Sequence, residues 1–195
     1  MQSKDLSCNS GCFPAGRSEH VSSPVAMSDD RLRFDSAEMA AKAWMTAVTK
    51  GEYEVAWCLC DADLRLSFAQ AWVLHYYGLP DDYMAAALAQ PIDDGWPEWH
   101  ACMELNTARW IRAYAAWAGD DWGVWTEDDS VGDLVGANLE RVTLVHGISS
   151  GRIEPGTPLL AQHFVMRRRE DWRLAGIGSV IAIPGWPPSE EPIPS

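Results

Sequence analysis

The chain has 195 residues and carries 28 acidic against 15 basic side chains, for a formal net charge of −13. That charge repels both a nucleic-acid backbone and an anionic membrane surface, so neither is expected as a partner. The length suits one domain with tails, and a hydrophobic fraction of 47% supplies a core without disulfides or metals.

Residues 1–30 are rich in Ser and Gly and show no hydrophobic period, which predicts a disordered extension. They hold neither the apolar centre of a signal peptide nor an Arg-rich amphipathic face. With five cysteines and no apolar run long enough to span a bilayer, the expectation is a soluble cytoplasmic protein with reduced thiols. One domain is expected over 31–183, followed by a proline-rich tail over 184–195.

Asp35 is placed to open the first helix, with Glu38 three residues on as its capping-box partner. Ala37, Ala40, Ala41, Trp44, Ala47 and Val48 recur at helical spacing, and Gly51 ends the run. Further helices are predicted over 53–60, 64–77 and 82–90. Pro97 suits the first turn of a long helix reaching 117. The period then changes. A short strand is expected over 122–126, an alternating β-branched strand over 139–148, and two more over 159–167 and 172–183. Helices followed by antiparallel strands argue for an α+β fold. Pro184, Pro187, Pro188, Pro192 and Pro194 predict a polyproline-like tail outside any sheet centre.

Two stretches carry a family resemblance. The segment 35–66 contains Gly51-Glu52 followed by Ala56-Trp57. The closing hairpin contains Phe164, a charged turn over 167–171 and Trp172-Arg173-Leu174. Both are similar to the nuclear transport factor 2-like superfamily, which includes ketosteroid isomerases, aldol-type polyketide cyclases, scytalone dehydratase and limonene epoxide hydrolase. The resemblance implies a cone-shaped, cystatin-like roll in which helices pack on a curved antiparallel sheet around a pocket. Likeness to actinobacterial members implies a bacterial source. Asp171 stands where the family often has Gly before the Trp, and residues 67–125 form a longer, more Trp-rich middle. No catalytic residue of the family aligns onto that middle.

In such a pocket His146 is the first acid–base candidate, because it shares a strand face with Val142 and Leu144. His163 lies on the next strand and could share that face. His100 and Glu104 stand one helical turn apart and can form an oriented pair, or a simple surface pair. Asp61 and Asp63 fit helix capping; Asp63 is also a candidate for a carboxylate base like that of ketosteroid isomerases. Trp96, Trp99 and Trp110 are candidate pocket walls, and Arg109 a partner for an acidic ligand. Core packing and a homodimer interface also explain the tryptophans.

No His-x-x-x-His, Cys-x-x-Cys or G-x-S-x-G pattern occurs, so no metal, cofactor or serine nucleophile is expected. Two functions follow. One is binding of an apolar or polycyclic small molecule in an aromatic-lined pocket, with proton transfer, dehydration or cyclisation as its chemistry. The other is a non-catalytic, dimerising or protein-binding module whose pocket is filled by its own side chains.

Overall fold

A computed structural model of the chain describes residues 33–90, 97–115, 122–125, 133–136, 138–146 and 160–193. Helix α1 (Ala37–Lys50) buries the stripe Ala37, Ala40, Ala41, Trp44, Met45, Ala47 and Val48. Its cap is Ser36, not Asp35: the extended Ser36 side chain accepts from Met39 N at 3.2 Å. Glu38 therefore falls one position too early for a capping box and instead pairs with Lys42 at 2.7 Å. At the other end Gly51 sits at φ +75°, and the N–H groups of Gly51 and Glu52 reach Val48 O and Ala47 O.

Helix α2 (Tyr53–Cys58) is shorter than expected, because the linker to α3 (Ala62–Tyr77) is committed elsewhere. Leu59 O accepts from Leu174 N at 2.9 Å, and Asp61 N donates to Leu174 O at 2.7 Å. These two bonds pin the helical layer to a sheet edge. Helix α4 (Asp82–Leu88) is capped by Asp81, whose side chain accepts from Met84 N. Helix α5 (Pro97–Tyr114) is the long one, packed against α1, α2, α3 and α4. The expected end at residue 117 lies outside the described residues.

The strands are β1 (Trp122–Trp125), β2 (Asp133–Gly136), β3 (Leu139–His146), β4 (Leu160–Arg168) and β5 (Trp172–Ile177). They form one antiparallel sheet in the order β1-β3-β4-β5, with β2 also pairing β3. The fold is thus α+β. Helix α1 lies across β3, β4 and β5. Register pairs Val142 with Phe164 and Glu140 with Met166, so Val142, Leu144, Phe164 and Met166 share the face turned to the helices. Trp44, fully buried, is the centre of that core.

Two expectations about the C-terminal third are corrected. The single strand over 172–183 is two strands, because Gly178 takes φ +87° and turns the chain out of the sheet. The proline-rich tail does not run free as a polyproline segment. Strand β7 (Ser189–Pro192) pairs antiparallel with β6 (Val180–Ile183) in a separate two-stranded sheet. Pro192 stands at the last position of this edge strand, where a missing N–H costs little. Gly185 N donates to Gln70 Oε1 and Trp186 Nε1 to Asp82 Oδ1, which tie this hairpin to α3 and α4.

Gly176 makes the turn-back possible. A Cβ there would sit 1.8 Å from Val180 O. Gly176→Ala is expected to destabilise the fold by about 1–3 kcal/mol through overpacking. Urea denaturation checks this, and an unchanged midpoint would contradict the close approach.

Candidate functional site

The turn-back of β6 and β7 leaves a cleft between α3, α5 and the sheet edge, of about 370 Å³. Its geometry starts from helical periodicity. Asn106, Arg109, Trp110, Ala113 and Tyr114 are spaced i, i+3, i+4, i+7 and i+8 on α5, so one stripe of that helix forms a wall. Leu64 and Phe68, one turn apart on α3, form the facing wall. Gly176 and Ile177 of β5, Val180 and Ala182 of β6, and Glu190 of β7 complete it.

The walls are apolar and the polar groups few. Trp110 is buried and packs 5.0 Å from Trp44 and 5.8 Å from Phe68, between ring centroids. Asn106 is buried, with Nδ2 donating to Cys102 O at 2.9 Å. Arg109 and Glu190 are exposed, so they stand at the rim with opposite charges. Burial raises the Tyr114 phenol well above its ordinary range, which keeps it neutral at any physiological pH.

Of the residues expected at a pocket, the structure brings together Arg109 and Trp110. Among the other candidates whose side chains are described, His146, His163 and Asp63 stand apart from them. His163 pairs across the strands with Thr143, and its Nδ1 lies 2.7 Å from Thr143 Oγ1. His146 pairs with Leu160 and shares the face of Val142 and Leu144. The two histidines therefore occupy opposite faces of the sheet, since cross-strand partners share a face and positions 143 and 146 do not. The one-face arrangement is excluded, and neither histidine lines the cleft. The side chains of Trp99, His100 and Glu104 on α5, and Trp96 as a whole, lie outside the described residues. Asn106, Phe68, Tyr114 and Glu190 were not anticipated. Asn106 falls on the stripe of Trp110 and could have been found from that spacing; Glu190 had no signal.

Asp61 and Asp63 also depart from expectation. Asp61 occupies the N-cap position of α3, yet its side chain makes no capping bond. Arg167 Nη1 holds Asp61 Oδ2 at 2.6 Å and Asp63 Oδ2 at 2.5 Å, and Arg169 reaches the same two carboxylates at 3.2 and 3.1 Å. Guanidinium forks outcompete a single backbone N–H for a carboxylate. Asp63 is thus an ion-pair partner, away from the α3–α5 cleft. Next to it Arg173 grips Asp171 through Nε and Nη2 at 3.0 and 2.6 Å and donates to Cys58 O.

The buried thiols are held protonated. Burial pushes Cys60 up to about 12, opposed in part by Arg65, and burial alone pushes Cys102 up to about 12. No group of three or more His, Cys, Asp or Glu able to hold a metal occurs among the described residues. Nor is any helix among them long and apolar enough to cross a membrane. Comparison of the chain with family models, curated proteins and solved structures returns no match.

One buried acid stands apart. Glu140 lies on the core face of β3, its Oε1 without a hydrogen-bond partner, and burial followed by the nearby Glu38 raises its pKa. A carboxyl raised on folding binds its proton more tightly in the native state. Stability therefore falls as pH rises from the ordinary carboxylate range through the folded value. Glu140→Gln is expected to raise the melting temperature at pH 8 and to lose that advantage near pH 4. A difference that does not vary with pH would contradict the buried acid.

Proposed function

We propose that this protein binds an apolar or aromatic small molecule with an anionic end in the cleft between α3 and α5. The observation that carries the reading is a cleft of about 370 Å³ whose largely apolar walls end at a rim with the exposed cation Arg109 on α5 and Glu190 on β7. Ligand pockets generally combine this size with a few placed polar groups. Trp110 and Phe68 supply flat surfaces for a ring system, and Arg109 supplies a fork for a carboxylate or sulfonate. A helical layer on one face of an antiparallel sheet, with a cleft at their junction, supports our reading of the fold as the nuclear transport factor 2-like cone.

The reading is one of binding, because the acid–base candidates whose side chains are described stand away from the cleft. His146, His163 and Asp63 lie off the cleft, and Asp63 is tied up by two arginines. The probe 1-anilinonaphthalene-8-sulfonate has the required shape and charge. The expected result is saturable binding to the native chain, weakened about ten-fold by Arg109→Ala, the loss of one charged hydrogen bond. Ala113→Trp, which fills the cleft, is expected to abolish it. Binding unaffected by both changes would defeat the proposal.

A second reading has its own observation. Tyr76, Tyr77, Leu79 and Tyr83 form an exposed apolar group at the end of α3 and the start of α4, with Tyr83 75% exposed. Exposed large apolar side chains clustered in sequence can mark an interaction surface, and a homodimer would use them. Light scattering on the purified chain is expected to give a dimer mass that Tyr83→Ser with Leu79→Ser reduces to monomer. A monomer mass for the parent chain would sink this reading without touching the first.

A further inference from the structure

A second cleft, of about 280 Å³, opens where the β4–β5 turn meets the start of α3. Four of the chain's twelve arginines line it: Arg33, Arg65, Arg169 and Arg173. With Arg167 behind them, five guanidiniums face the four carboxylates Asp61, Asp63, Glu170 and Asp171. Arginines thus concentrate at this corner of a chain whose net charge is −13.

The pairing is uneven, and the unevenness identifies the site. Asp61 and Asp63 are neutralised by Arg167 and Arg169, and Asp171 by Arg173. Arg65 is held differently. Its Nε donates to Ala89 O at 2.9 Å and its Nη1 to Cys60 O at 2.6 Å, both neutral carbonyls. Among the described residues it makes no ion pair. The half-buried Arg65 is thus fixed in place by two backbone acceptors, and its Nη2 has no acceptor among the described residues. The first turn of α3 begins at the same place, with Ala62 in the cleft lining and no side-chain oxygen capping it, because Asp61 is turned to the arginines. Its amide dipoles add to the positive field.

We propose that this cleft binds a phosphoryl oxyanion, as a phosphate monoester or free phosphate. Available donors face the cleft from two elements: Nη2 of Arg65 with the uncapped first-turn amides of α3, and Nη1 of the exposed Arg169 on the β4–β5 turn. A tetrahedral oxyanion presents acceptors in both those directions, whereas a planar carboxylate is satisfied by a single fork. The cleft is larger than a bare ion needs, which leaves room for an organic substituent.

The test is phosphorus NMR titration of the full chain at low salt with inorganic phosphate and, separately, glycerol 3-phosphate. Saturable line broadening is expected, with affinity reduced about ten-fold or more by Arg65→Gln. Arg65→Lys should also weaken binding, because it keeps the charge and loses the fork. Arg112→Gln, on the exposed side of α5, should leave binding unchanged. If Arg65→Gln fails to fold by circular dichroism, the exposed Arg169→Gln is the second variant, and it too should weaken binding. Tighter binding of glycerol 3-phosphate than of phosphate assigns the site to an ester, and equal binding assigns it to the free ion. The inference is overturned by broadening that does not saturate, by equal binding to the parent and the arginine variants, or by acetate competing as well as phosphate.

Discussion

The structure depends on one aromatic side chain. Trp44, on α1, meets Trp110 and Tyr114 of α5 at 5.0 and 6.0 Å and Phe164 of β4 at 5.4 Å. A single fully buried ring thereby fixes a helix, a second helix and the sheet in one arrangement. Large rings contribute most per residue to such burial, and edge-on packing adds directionality to it. Because α5 is held by its Trp110 and Tyr114 face, the rest of that stripe is placed against α3. The wall of the cleft is a consequence of the core, and the same residues serve both.

The second constraint is at the sheet edge. The linker at Leu59 and Asp61 exchanges two backbone hydrogen bonds with Leu174. The chain later turns away at Gly178, with Gly176 allowing Val180 O to approach. These backbone features leave β5 flanked by the α2–α3 linker on one level and the β6–β7 hairpin on another. Both clefts open beside this strand: the apolar one next to Gly176 and Ile177, the arginine-lined one next to Arg173. Their chemistry differs because the two ends of this strand meet different neighbours, the β4–β5 turn and α2–α3 linker at Arg173 and the β6–β7 hairpin at Gly176 and Ile177.

Much of this was legible in the sequence, and the failures have physical causes. The stripe from Ala37 to Val48 reads directly as a helix because its period is 3.6, and the alternation over 139–146 reads as a strand because its period is 2. Arg109 and Trp110 were recognisable as cleft residues from position on a long helix. Register was not legible: nothing local says that Thr143, and not another residue, stands opposite His163. Nor was the fate of Asp61. Its position at a helix start suggested a cap, while its real partners, Arg167 and Arg169, lie more than a hundred positions along the chain. The β6–β7 hairpin was missed because a run of prolines reads as a tail, and only the pairing with β6 shows otherwise.

The central claim is that the α3–α5 cleft is where a ring-bearing anionic ligand sits. The most direct test is to map the perturbed residues in proton–nitrogen NMR spectra as 1-anilinonaphthalene-8-sulfonate is added. The account predicts shifts of the Trp110 indole N–H, the Asn106 side-chain amide and the backbone amides of Gly176 and Ile177. Shifts confined to Tyr76, Tyr77 and Tyr83, with Trp110 and Asn106 unmoved, would contradict it.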